Sequence, residues 1–91
     1  MEHERLLGLV ARLRENGWVF VPTSLAAPGP ARVVDALFGI RTRGPVEDNI
    51  QLWEKWAIAS RLCRRDGVEE QVWYRSGAVS SVVSELLALA E

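Results

Sequence analysis

Cysteine, histidine, methionine and tyrosine each occur only once in these 91 residues, and the scarcity of the first two removes whole classes of chemistry. Cys63 has no second cysteine to form an internal disulfide. With His3 as the only histidine there is no zinc-ligand set and no thiol–imidazole couple, so the chain reads as metal-free and belonging to a reducing compartment. An excess of charge of one sign is also lacking: eleven Lys and Arg stand against twelve Asp and Glu, a formal charge of -1. No overall field draws the chain to nucleic acid, to a membrane or to an acidic substrate, and any binding patch must be local. No apolar run reaches the ~18 residues of a transmembrane helix, and the opening MEHERLLGL mixes acids among its apolar residues, unlike a targeting peptide. A cytoplasmic location is expected. Nucleophile-elbow, dinucleotide and phosphate-loop spacings are missing, and the neighbouring carboxylates Glu47-Asp48 and Glu69-Glu70 diverge on either a helix or a strand. No catalytic residue, cofactor or metal is expected.

What is present suits a single globular domain, residues 1–91, with 48% hydrophobic and 25% charged residues. Leu6, Leu9, Val10 and Leu13 recur at helical spacing, and Asn16-Gly17 supplies a left-handed stop. Trp18 to Val21 reads as a short or edge strand closed by Pro22 and a loop from Thr23 to Pro30. Val33, Val34, Leu37 and Phe38 form a helical face over 31–38, with Pro30 suited to its first turn and Gly39 to its stop. Val46, Ile50, Trp53 and Ala57 repeat the pattern over 46–57. The last helix, 78–90, carries Val79, Val82, Val83, Leu86, Leu89 and Ala90 on one stripe, with Leu87 outside it.

Between the last two helices the pattern alternates about Asp66-Gly67, a strong hairpin signal. A three-residue loop, Arg65-Asp66-Gly67, sets Ile58 opposite Tyr74, Ser60 opposite Val72 and Arg64 opposite Val68. It predicts a core face of Ile58, Leu62, Val72 and Tyr74, with Trp73 on the other side. Of the four tryptophans, Trp18 and Trp53 are expected in the core, and Trp56 or Trp73 at a dimer or partner contact.

The order helix, short strand, helix, helix, hairpin and closing helix resembles the winged helix-turn-helix superfamily over nearly the whole chain. The resemblance is most specific in Val33 to Ile40 followed by Val46 and Ile50. It implies an α+β, mostly helical fold with a helix-turn-helix over about 30–57, a wing hairpin over about 58–75 and a C-terminal helix. It further implies a small sequence-specific DNA-binding protein, a transcriptional regulator or a plasmid or phage accessory factor. Double-stranded DNA would be held by Arg41, Arg43, Asn49, Gln51, Lys55, Arg64 and Arg65: the arginines on phosphates, Asn49 and Gln51 on adenine edges. The alternative is a protein–protein interaction module on the same scaffold that leaves DNA alone. A homodimer is expected through the first and last helices, with Trp73, Val82, Leu86 and Leu87 at the dimer or partner contact.

Overall fold

The computed structural model describes residues 2–26 and 33–89, with side chains for 6–23 and 36–89. Helix α1 (Glu2–Glu15) leads into five strands, β1 (Val19–Ala26), β2 (Val33–Arg43), β3 (Val46–Leu52), β4 (Trp56–Arg65) and β5 (Val68–Ala78), and helix α2 (Val79–Leu87) follows. The strands form one antiparallel sheet in chain order, β1-β2-β3-β4-β5. Both helices lie on the same face of it.

This overturns the mostly helical winged-helix expectation. From Val33 onward the helix expected over 31–38 is β2, and the one expected over 46–57 is β3, a tight turn closed by the bond from Trp53 N–H to Trp56 C=O, and the start of β4. The physical reason is β-propensity combined with pairing: Val33-Val34, Phe38 and Ile40 favour extended backbone, and a strand with a partner on each side satisfies its main-chain groups as well as a helix does. The part of the expected loop from Ala27 to Pro30, Pro30 as a helix start, and Ala90 at the end of the last helix lie outside the described residues.

The first helix ends where Asn16-Gly17 predicts. Gly17 has φ +88°, Trp18 N–H donates to Leu13 C=O and Gly17 N–H donates to Arg14 C=O. This double closure brings Trp18 onto Leu13, and both are buried. The hairpin between β4 and β5 turns at Asp66-Gly67, but with a two-residue loop. Asp66 and Gly67 both have positive φ, Arg65 pairs with Val68, and an irregularity between Arg61 and Leu62 then brings Ser60 opposite Tyr74 and Ile58 opposite Ser76. The expected core face is therefore reversed. Ala57, Ala59 and Arg61 point to the helices, with Trp73 packed against that side, while Ile58, Leu62 and Tyr74 point away.

The core joins Val10 and Leu13 of α1, Trp18, Ile50 and Leu52 of β3, Ala57 and Ala59 of β4, and Val79, Val82, Val83 and Leu86 of α2. Small residues on the sheet allow α2 to come close: Val82 lies directly over Gly77, beside Ala57 and Ala59. At the opposite side Phe20 of β1 stacks on Trp18, with centroids 6.2 Å apart, and its ring lies across Gly39 of β2. A radius of gyration of 13.2 Å, against about 12 Å for a compact chain of this length, and extents of 42 × 30 × 21 Å describe a slab, one helical layer on one sheet.

A methyl group on Gly39 has no room beneath Phe20. Gly39→Ala is expected to lower the unfolding free energy by about 1–3 kcal/mol. Phe20→Leu in the same chain should recover part of that loss. Chemical denaturation of the two single variants and the double variant measures this coupling, and additive losses would show that the ring is not the obstacle.

Candidate functional site

Two features stand out from the core packing, one on each face of the sheet. On the helix-covered face, Arg41, Asp48 and Arg61 are direct neighbours across β2, β3 and β4. Asp48 is 1% exposed. Arg61 Nε donates to its Oδ1 at 2.6 Å and Arg61 Nη2 to its Oδ2 at 3.0 Å; Arg41 Nη2 donates to Oδ2 at 3.2 Å, and Arg43 Nη2 stands 3.9 Å away. Arg41 also lies over the Trp18 ring, 5.4 Å from its centroid, and donates from Nη1 to the Asn16 carbonyl at the end of α1. Burial pushes the Asp48 carboxyl up, but the hydrogen bonds from Arg61 and Arg41 and their positive charge together outweigh it and hold the group below its ordinary value. The bond to Asp48 in turn raises Arg61 against the opposing effect of burial. This row acts structurally. It locks three strands in register and ties them to the end of α1.

The other face carries no helix among the described residues. Taken in rows across the sheet, it presents Val21, Phe38, Gln51, Ile58 and Ser76, then Val19, Ile40, Asn49, Ser60 and Tyr74. Val19 is 61% exposed, Val21 53% and Tyr74 51%; Phe38, Ile40 and Ile58 are half-buried, and Ala36 at the end of the same file of β2 is buried. The central polar pair satisfies itself: Ser60 Oγ donates to Asn49 Oδ1 at 2.8 Å. Trp56 stands exposed at one corner, and Glu47, Arg64 and Glu69 bring charge only to the opposite end. Among the described residues this surface holds no cluster of cations, and apolar side chains make up most of it.

The residues predicted to bind DNA do not come together on one surface. Arg41 and Arg43 lie on the helix-covered face around Asp48, while Asn49 and Gln51 lie on the open face. Lys55 is on the exposed turn between β3 and β4, at the far end of the sheet from Arg64 and Arg65. Those two arginines end β4 beside the Gly44-Pro45 turn, where Arg64 pairs with Glu69 at 2.9 Å. At that end Arg41, Arg43, Arg61, Arg64 and Arg65 are matched by Glu47, Asp48, Asp66, Glu69 and Glu70, so the expected basic patch is neutral. Of the residues predicted for a dimer or partner contact, Val82 and Leu86 are buried in the chain's own core, and Trp73 and Leu87 are half-buried against it. Sequence reading missed Val19, Val21, Phe38, Ile40 and Tyr74 as a surface. The available signal was the runs Trp18 to Val21 and Ala36 to Ile40, apolar at both odd and even positions, the mark of strands covered on both sides. Comparison with protein-family models, with curated proteins and with solved structures returned no match.

Asp48→Asn should leave the buried guanidinium groups without their counter-charge and destabilise the fold by about 3–5 kcal/mol at neutral pH. The pH dependence has a definite sign. Because the folded-state pKa is lowered, the stabilisation is complete above the ordinary carboxylate range near pH 4 and declines as pH falls through the folded value. Denaturation between about pH 2 and pH 6 should therefore show a shallower acid slope for Asp48→Asn than for the unaltered chain; equal slopes would refute the lowered pKa.

Proposed function

We propose that this chain is a non-catalytic protein–protein interaction module whose working surface is the open face of the sheet. One observation carries the reading: β1, β2 and β4 are apolar towards both sides, yet among the described residues the helices cover only one, and Val19, Val21, Trp56 and Tyr74 stand exposed on the other. An antiparallel sheet that keeps one face in water normally alternates apolar with polar side chains, so Val19, Val21, Phe38, Ile40, Ile58 and Tyr74 on the uncovered face are composed for contact. The reading as a DNA-binding protein depended on a recognition helix over 46–57, a stretch that forms β3 and the start of β4. The matched charges at the hairpin end offer little for phosphate contact and counterion release. Exposed Tyr, Trp and β-branched residues around a small polar centre suit a protein surface instead.

A photoactivatable side chain placed at Val21 or Tyr74, and as a control at Arg12 on the exposed side of α1, tests this in cells that produce the native chain. Covalent protein adducts are expected from the two sheet positions and not from Arg12; adducts from Arg12 alone, or from none of the three, would overturn the module. Titration of a labelled DNA duplex at about 50 and about 200 mM salt gives a second check. No affinity with a steep salt dependence is expected, whereas a steep slope would return the weight to phosphate recognition.

A further inference from the structure

Resting on that reading, the occupant of the open face follows from its charge, its extent and the state of the sheet edges. We propose that the face is closed by the same face of a second copy of this chain, giving a twofold homodimer with layers in the order helices, sheet, sheet, helices.

Charge is the first ground. The centre of the face holds Asn49, Ser60 and Gln51, and among the described residues its charged groups are Glu47, Arg64 and Glu69 at one end, where Arg64 and Glu69 pair. A neutral apolar face meets no repulsion from its own image and offers nothing that selects a charged partner. Ser60 Oγ–H already donates to Asn49 Oδ1, and the amide groups of Asn49 and Gln51 can each donate and accept, so that across a twofold axis they can bond to their own images.

Extent is the second. Five strands at about 4.8 Å spacing and about six residues of each at about 3.4 Å give a face roughly 24 Å by 20 Å. Two such faces stacked about 10 Å apart, as in a β-sandwich, cover about 1,000 Å² in projection, and the accessible area of protruding side chains exceeds the projection. The flat projection alone lies just below the range of about 1,200 Å² and above typical of specific interfaces, and the relief of the side chains adds to it without any help from the helices.

The edges supply the third ground. Strand addition at β1 is blunted by Pro22, and at β5 by Glu69, Glu70 and Arg75 together with the irregularity in its pairing with β4. The fold discourages pairing edge to edge and leaves the face as the route by which two copies meet. A closed twofold contact of this kind ends assembly at two copies.

Sedimentation equilibrium of the full chain, from about 1 to about 200 μM, is the direct test. Twice the 10.2 kDa chain mass is expected at the upper concentrations. Val21→Lys and Tyr74→Lys should each raise the dissociation constant at least tenfold, while Leu7→Lys, which places the same charge on an exposed apolar position of α1, should leave it unchanged. Circular dichroism checks that the lysine variants stay folded, and Val21→Thr, which keeps β-propensity, provides a gentler second variant expected to weaken association in the same direction. A chain mass of 10.2 kDa throughout the range, or a dimer lost in Leu7→Lys but kept in both sheet variants, would overturn the proposal. The module reading fails separately: adducts from Val21 to a different protein, with the purified chain monomeric, reject the second copy and retain the module, whereas no adducts at all from the sheet positions reject both.

Discussion

The packing of both helices on one face of the sheet, through Leu13, Val82, Val83 and Leu86 against Ile50, Leu52, Ala57 and Ala59, decides what every other part of the chain has to do. Close approach requires small side chains beneath the helices, which is why Ala57 and Ala59 hold positions where larger residues would add buried area but force α2 away, while Gly77 beside them is marked for glycine by its φ of +151°. It also requires α2 to be spent entirely in the core, and Val79, Val82, Val83 and Leu86 are all buried there. Two short helices cannot cover two faces of five strands. The apolar side chains of the second face are the remainder of that arrangement.

Where the core runs out, toward the hairpin ends of β2, β3 and β4, the row Arg41–Asp48–Arg61 takes over from apolar packing. A buried ion pair gains little net stability, because desolvation of the charges offsets much of their attraction. Its effect here is selectivity of register. A shift of β3 by one residue would turn Asp48 to the open face, leave the guanidinium groups of Arg41 and Arg61 without it, and bring Asn49 and Gln51 into the core in place of Ile50 and Leu52. In β3 the alternation of Ile50 and Leu52 with Asn49 and Gln51 already opposes such a slip, and the charged row extends that selection to the end of the strand where apolar core residues run out.

That two-sided pattern also governs how much could be read from the amino acids. The first helix and its Asn16-Gly17 stop, the turn at Asp66-Gly67 and the amphipathic last helix were legible, because each is specified locally by spacing and by φ preferences. Strands β2 and β3 were not. In β3 the alternation Asp48, Ile50, Leu52 is a core-facing file with a carboxylate in it, and the eye passes over it to the helical spacing of Val46, Ile50 and Trp53. In β2 the core-facing file is Leu37, Gly39, Arg41, with the larger apolar residues Phe38 and Ile40 turned outwards. Gly39 fits only because Phe20 arrives from another strand, and Arg41 only because Asp48 does; neither partner is visible from local sequence. The hairpin register failed for the same reason. Ranking Ile58 and Tyr74 above Ala57 and Ala59 as core formers is sound for an isolated hairpin and reversed by a helix that needs small residues beneath it.

The composition of the open face bears on how it behaves before it is covered. A face of β-branched residues alone, on a sheet with unprotected edges, would be a template for uncontrolled growth. Here the polar groups sit in its middle, in the bonded pair Asn49 and Ser60 with Gln51 beside them, and the charges Glu47, Arg64 and Glu69 sit at one end. Water can wet the polar centre of such a surface, while the apolar flanks formed by Val19 and Val21 on one side and Tyr74 on the other gain from being covered. In the proposed dimer these two tendencies oppose one another, the polar centre favouring the wet face and the apolar flanks the covered one, and the blunted edges direct association to the face.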